Sequence, residues 1–280
     1  MIKANHHTHS SFCDGKAPLR SFVEEAIKQN FRILGFSGHA PVNIPNNFAI
    51  KTDELLDYCN EVNLLKKEYK DTIDIYLGLE ADYIPTITTD FDVFRQTCNL
   101  DYIIGSVHLV VTNGAKKFWF IDGPDYNVYD EGLTTIFNGD IKSGVQAYFS
   151  QINEMIITQK PEVVGHLDKV KMHNNERYFS LSERWYEQQM EQSLEIIKAN
   201  GSIVEVNTRG LYKKRCDDLF PGSRWLPVMH EMGIPVMINS DAHHPGDLLL
   251  EYDFALEQVK KAGYTEQYYF DGNGFSPSEI

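Results

Sequence analysis

The chain has 280 residues, and its composition excludes several classes of protein. Hydrophobic residues make up 42% and charged residues 24%, which is ordinary for a globular chain and excludes a disordered or collagen-like one. Forty acidic residues outweigh 26 basic ones, so the formal net charge is −14. This charge repels nucleic acid and anionic membranes, and we expect neither as a partner. An anionic substrate would need a local cation, from arginine, lysine or metal, to offset it.

The cysteines and the start of the chain indicate a reducing compartment. Cys13, Cys59, Cys98 and Cys216 are scattered without CxxC spacing, so we expect reduced thiols rather than a disulfide framework. No apolar run approaches the ~18 residues of a membrane helix. The first residues lack the apolar region of a signal peptide. We therefore expect a cytoplasmic location, and the sequence leaves the oligomeric state open.

Short apolar segments alternate with longer amphipathic ones along the first hundred residues. Strands are predicted at 2–6, 32–37, 73–79 and 102–107. Helices are predicted at 19–29 and from 52 or 53 to 69, and 91–97 is at best a short helix.

Residues 112–141 interrupt this alternation. Three turn signals lie here, at Asn113-Gly114, Asp122-Gly123-Pro124 and Asn138-Gly139-Asp140. Aromatic residues from Trp119 to Tyr129 lie between them, and they argue against disorder. We interpret the segment as an irregular but ordered excursion over one face, whose aromatics form either a lid or a satellite core.

The alternation then resumes to the end of the chain. Strands are predicted at 162–166, 202–207 and 235–240, with a terminal strand at 264–270. Helices are predicted at 145–158, 181–199, 224–232 and 249–262. No linker or internal repeat divides the chain. Seven βα units predict one α/β domain over residues 1–280, most simply a parallel barrel.

Potential metal ligands are concentrated at the carboxyl ends of the predicted strands. They are His7, His9, His39, Glu80, His108, His166, Asp241 and His243, with Asp14 in the loop after the first strand. In a β/α barrel these strand ends converge on one mouth, where active sites lie. A single histidine at a strand end is more often structural, but six at successive strand ends indicate one metal centre.

Residue spacing supports this interpretation. His7-Thr-His9 and Asp241-Ala-His243 each place two ligands at i and i+2, on one face of a strand. Imidazole and carboxylate suit zinc, manganese or iron. Nine ligands exceed the needs of one tetrahedral ion, so we expect two or three ions, with Glu80 as a bridging carboxylate. Clustered ions generate a hydroxide nucleophile and clamp a phosphoryl group.

Four further residues are candidates for substrate binding or catalysis. Arg209 follows the sixth strand and is predicted to grip phosphate oxygens, the alternative being a surface salt bridge. Lys169, just beyond His166, is a second phosphate candidate. His244 is a candidate proton donor to the leaving group, or else an exposed residue. Trp119 is a candidate contact for the substrate ring, if its segment is a lid.

These motifs resemble those of the polymerase-and-histidinol-phosphatase (PHP) superfamily. The matching stretches are His7-Thr-His9, Gly38-His39, Gly78-Leu-Glu80, Gly105-Ser-Val-His108, Gly165-His166 and Ser240-Asp241-Ala-His243. They span nearly the whole chain. Within the superfamily the chain is similar to stand-alone histidinol-phosphatases, through stretches such as Val164-Gly-His-Leu-Asp168 and Glu205-Val-Asn-Thr-Arg-Gly-Leu-Tyr212.

The resemblance implies a distorted seven-stranded (β/α) barrel with three metal ions. By that analogy one ion is held by His7, His9, Glu80 and Asp241, a second by Glu80, His108 and His166, and a third by Asp14, His39 and His243. The implied reaction is hydrolysis of L-histidinol phosphate in histidine biosynthesis. Two alternatives remain: a PHP phosphoesterase acting on nucleotides or oligonucleotides, and a non-catalytic metal-binding module.

Overall fold

The computed structural model describes residues 2–112 and 117–280. In chain order its strands are β1 (Ala4–Asn5), β2 (Ile33–Phe36), β3 (Asp74–Asp82), β4 (Tyr102–Ser106), β5 (Leu109–Val110), β6 (Trp119–Phe120), β7 (Val163–Val164), β8 (Ile203–Asn207), β9 (Val236–Asn239), β10 (Glu266–Phe270) and β11 (Phe275–Glu279). Its α-helices are α1 (Leu19–Lys28), α2 (Leu55–Glu68), α3 (Phe91–Cys98), α4 (Tyr126–Phe137), α5 (Ile141–Gln159), α6 (Arg184–Asn200), α7 (Arg209–Tyr212), α8 (Leu226–Met232) and α9 (Tyr252–Lys261).

Seven parallel strands form a nearly closed barrel in the order β1-β2-β3-β4-β7-β8-β9. The first and last strands meet just beyond β1, where Thr8 bridges Ala242. There the amide of His9 donates to the carbonyl of Ala242 at 2.9 Å, and the amide of Ala242 donates to the carbonyl of His7 at 3.0 Å. The predicted seven-stranded α/β barrel is confirmed, and its seam lies beside two predicted metal ligands.

The strands are covered on both faces, which explains their continuous apolar sequences. Every residue of β2, β4, β8 and β9 is buried, as expected for a parallel sheet. Helices pack on the outside through apolar residues at helical spacing. In α1, for example, Leu19, Phe22, Val23 and Ala26 are buried.

The end of the chain closes the barrel at the amino ends of its strands. The predicted strand near 264–270 is β10, but it pairs antiparallel with β11 rather than extending the barrel. Tyr269 and Phe270 pack there against Ile33, the first residue of β2. The buried ring of His6 accepts a hydrogen bond from the amide of Phe270 at 3.2 Å. This hairpin leaves the opposite end of the barrel free to carry the polar cluster.

The excursion at 112–141 is more regular than predicted. It contains β6, which pairs antiparallel with β5 just before the excursion, and the helix α4. Asn138 ends α4 with a left-handed backbone, at φ 53°, and the carboxylate of Asp140 accepts from the amide of Ser143 to begin α5. The turn signal at 138–140 therefore marks two adjacent helix ends. The turn predicted at Asn113-Gly114 lies outside the described residues.

Two further differences concern the mouth of the barrel. The strand β3 continues to Asp82, so Glu80 lies within a strand and not at its end. A short helix, α7, begins at Arg209, where none was predicted. Within the described residues, no helix is long and apolar enough to cross a membrane.

Candidate metal centre

The nine predicted ligands converge at the carboxyl end of the barrel. Eight of them are buried, and the side chain of Asp14 is 31% exposed. These residues include three overlapping groups, and within each group the ligand atoms all lie within 4.8 Å of one another. The groups are His9 with Asp14, His39 and His243, then His7 with His9 and Asp241, and finally His39 with Glu80 and His108. The barrel thus brings together residues that the sequence spreads from position 7 to position 243.

Glu80 lies at the centre of this cluster. Its Oε2 lies 3.1 Å from Nε2 of His7 and 3.2 Å from Nδ1 of His39. Its Oε1 lies 2.9 Å from Nε2 of His166, which in turn is 3.2 Å from Nε2 of His108. Because each oxygen faces ring nitrogens from different strands, the carboxylate has the geometry of a bridging ligand.

Asp241 and Asp14 lie on the side of the cluster nearest the barrel seam. Oδ1 of Asp241 lies 3.3 Å from Nε2 of His9. Oδ1 of Asp14 lies 3.1 Å from Nε2 of His243. Asp241 itself has a positive φ of 53°, a conformation that costs free energy in a residue other than glycine. The backbone therefore holds this carboxylate in position at some cost in stability.

Several buried atoms in the cluster have no hydrogen-bond partner among the described residues. They are Nε2 of His7 and His9, Nδ1 of His39, and Oδ1 of Asp14 and Asp241. Buried polar atoms are rarely left unpaired, because the lost hydration costs free energy. Imidazole nitrogens and carboxylate oxygens that converge in this way are suited to divalent metal ions. The residues therefore fit the metal centre expected from the sequence.

Two further carboxylates orient histidines of the cluster. Glu205 is fully buried, and its Oε1 lies 2.6 Å from Nδ1 of His7. Oδ1 of Asp82 lies 2.8 Å from Nδ1 of His108. In both pairs the opposite ring nitrogen faces Glu80, which is the arrangement of a carboxylate–histidine–metal chain.

Without bound ions, two histidines of the cluster have a raised pKa. Burial opposes protonation of His7, but the carboxylates of Glu205, Glu80 and Asp241 raise its pKa to about 10. Burial also opposes protonation of His108, yet Asp82 and Glu80 raise its pKa to about 9. A bound cation would replace these protons, since metal ligands must be deprotonated.

Basic side chains border the cluster at the mouth. Nη1 of Arg209 donates to the carbonyl of Asp241 at 2.8 Å and lies 2.7 Å from Nδ1 of His243. Lys169 is buried, with its Nζ 3.1 Å from Oδ2 of Asp122. Both predicted phosphate contacts therefore lie at the mouth, beside the metal ligands.

Two other predicted site residues lie outside the cluster. Trp119 is fully buried, packs against Tyr129 and Phe137, and donates its indole N–H to the carbonyl of Tyr129 at 2.9 Å. It belongs to the main hydrophobic core and is unable to contact a substrate in this conformation. His244 is exposed, and its Nδ1 accepts from the amide of Gly246 at 3.2 Å, so it begins a short 3₁₀ turn.

Three residues of the site, Asp82, Asp122 and Arg215, are not among those predicted from the sequence. Asp82 was detectable, because it follows Glu80 by two positions on one strand and so shares its face. Asp122 and Arg215 have no comparable spacing from a predicted ligand in the sequence. They lie in loops, and only the fold brings them to Lys169 and Arg209.

Comparisons with known proteins agree with this geometry. A family model described as the PHP domain matches residues 5–209. The chain is 30% identical to the histidinol-phosphatase of Bacillus subtilis (strain 168), covering 92% of this chain and all of that protein. It is 26% identical to the histidinol-phosphatase of Lactococcus lactis subsp. lactis (strain IL1403), covering 97% and 96% of the two chains.

A solved structure provides a comparison of fold. It is described as histidinol phosphate phosphatase from Lactococcus lactis subsp. lactis Il1403 complexed with zinc, L-histidinol and phosphate. It superposes with a TM-score of 0.75 at 22% identity and covers 98% of each chain. At this level of identity the likeness shows a common fold.

Proposed function

The chain belongs to the PHP domain family, and from this premise we propose that it is a metal-dependent histidinol-phosphatase. It would hydrolyse L-histidinol phosphate to L-histidinol and phosphate in histidine biosynthesis. The observation that carries the proposal is the convergence of nine metal-ligand side chains at the barrel mouth, next to Arg209 and Lys169. Full-length similarity to histidinol-phosphatases supports the choice of substrate.

We propose that the centre holds two to three divalent ions, drawn from zinc, manganese and iron. The proposed ligand sets are His7, His9, Glu80 and Asp241, then Glu80, His108 and His166, and finally Asp14, His39 and His243. The overlapping groups of ligand atoms support more than one ion. When bound, such ions lower the pKa of water to supply a nucleophile near neutral pH and offset charge on a phosphoryl group.

The protein's own residues have two tasks in this proposal. Glu205 and Asp82 fix the rings of His7 and His108. Arg209 and Lys169 bind phosphate oxygens, and a guanidinium is suited to bidentate contact with them. Because His244 is exposed and its Nδ1 is engaged by Gly246, we propose that solvent water protonates the leaving oxygen.

The proposed partner is a small phosphomonoester, and nucleic acid is not proposed as one. A net charge of −14 disfavours a polyanionic chain. We further propose that residues 1–280 form one domain, because the terminal hairpin packs under the barrel. A cytoplasmic location is supported by the four cysteines, all of which are free thiols.

Side-by-side kinetics on three substrates test this function. The metal-loaded protein is assayed with L-histidinol phosphate, p-nitrophenyl phosphate and a nucleoside monophosphate. We expect kcat/KM to be highest for L-histidinol phosphate. A preference for the nucleotide would favour the alternative PHP phosphoesterase, and no turnover of any ester would favour a non-catalytic module.

A further inference from the structure

Asp122 lies at the barrel mouth among positive charges. It lies two residues beyond β6, and the carbonyl of the next residue, Gly123, accepts from Nε2 of His173 at 3.1 Å. Its Oδ2 lies 3.1 Å from Nζ of Lys169, and its Oδ1 lies 3.8 Å from Nη1 of Arg215. Because the ammonium of Lys169 is buried, it requires an opposite charge nearby. Asp122 supplies that charge.

The same carboxylate also reaches the edge of the metal cluster. Its Oδ2 lies 3.8 Å from Nε2 of His108, the ring nitrogen that faces Glu80 and His166. A phosphoryl group that contacted both Lys169 and an ion held by His108 would place an oxygen between these two residues. Oδ2 of Asp122 lies between them, 3.1 Å from Nζ of Lys169 and 3.8 Å from Nε2 of His108.

From this overlap we infer that Asp122 is a built-in counter-anion of the phosphate site, occupying in the free enzyme the place that phosphate takes when it binds. The inference rests on the proposed function, because it concerns the same mouth. Binding is then an exchange, in which the phosphate dianion displaces the carboxylate from Lys169. The ammonium is paired in both states, so it is never left buried without a partner.

The consequence is a limit on phosphate affinity. Every phosphate ligand must compete with an attached carboxylate, so ground-state binding of substrate and product is weakened together. Weak ground-state binding favours turnover, because tight product binding delays release. Burial opposes ionisation of Asp122, but Lys169, His108 and Arg209 hold its pKa below the ordinary value, so the carboxylate stays charged.

Calorimetric titration with inorganic phosphate tests the inference. Asp122→Asn keeps the side-chain shape and removes the charge. Its metal-loaded form should bind phosphate about tenfold more tightly than the wild type, as expected when one competing charge is removed. Asp122→Ala should also tighten binding, which covers the case where the amide variant folds poorly. Metal content is matched by elemental analysis before titration.

The control is Asp253→Asn, which removes the same charge from an exposed position on α9. It should leave phosphate affinity unchanged. Unchanged or weaker phosphate binding in both Asp122 variants would overturn the inference. If the wild type hydrolyses L-histidinol phosphate but the Asp122 variants do not tighten phosphate binding, the inference fails and the proposed function stands. If the wild type does not hydrolyse that ester while the variants still bind phosphate more tightly, the proposed function fails and the inference stands.

Discussion

At the scale of single residues, two of the proposed metal ligands, His7 and His108, depend on a carboxylate behind them. Glu205 is the clearest case. Besides contacting His7, its Oε2 accepts from the amide of His166 at 3.0 Å and from Nδ2 of Asn207 at 2.9 Å. Its carboxylate, on β8, therefore joins two proposed ligands, His7 just beyond β1 and His166 just beyond β7. A conservative change at this position should disturb metal binding more than folding.

Glu205→Gln tests this role. The amide keeps the shape but loses the charge that orients the His7 ring. We expect metal affinity to fall by about 10- to 100-fold, which is typical when such a partner is removed. Competition with a fluorescent chelator measures the affinity, and Glu266→Gln, at an exposed position of β10, is the control. Unchanged affinity in the Glu205 variant would contradict the role.

The sequence predicted the proposed ligands that follow strands. It did not predict contacts between residues that are distant along the chain. His7, His9 and Asp241 are recognisable because i, i+2 spacing and strand ends mark them. The contact between His7 and Glu205 joins positions 198 residues apart. Only the closed barrel specifies such a pairing. Asp122 has no periodic neighbours at all, and its role depends on where a loop crosses the mouth.

At the scale of elements, the described part of the excursion packs Trp119, Tyr129 and Phe137 into the main hydrophobic core and is not a lid. Trp119 of β6 fills the space under α4, and a Cβ on Gly132 would lie only 2.6 Å from its ring. The glycine is thus required for the close approach of α4 to the ring. The sequence did not reveal this helix because the residues that cap its two ends, Asp125 and Asn138, are also of types that form turns.

Trp119→Ala should therefore act on stability. Removing a fully buried tryptophan is expected to lower the free energy of unfolding by about 3–5 kcal/mol. Denaturant titration measures this loss, and Trp185→Ala, at a half-buried position, should cost less. The ratio of kcat/KM for L-histidinol phosphate to that for p-nitrophenyl phosphate should stay unchanged. A selective loss on L-histidinol phosphate, with stability intact, would instead restore Trp119 as a substrate contact.

At the scale of the whole molecule, the metal centre couples stability to pH. In the metal-free protein His7 and His108 have pKa values raised from 6.5 to about 10 and about 9. Between pH 6.5 and these values the folded chain binds more protons than the unfolded one. The stability that they contribute is complete below pH 6.5 and is lost as the pH rises through 9 to 10.

Thermal unfolding at several pH values measures this coupling. With a chelator present, Tm should fall as the pH rises from 6.5 to about 10. With manganese present, the gain in Tm over the metal-free protein should grow over the same range, because binding no longer has to displace protons. A metal-free Tm that is flat or rises in this window would contradict the assignment of His7 and His108 as proton-loaded ligands.

Bound metal is proposed to make this barrel a phosphatase, and restoring the metal in steps tests that dependence. The protein is stripped with a strong chelator, and manganese or zinc is added back in steps. Turnover of L-histidinol phosphate and bound metal are measured at each step. Activity should be absent in the stripped protein and should return only as occupancy exceeds one equivalent per chain. Full turnover by metal-free protein would contradict the account.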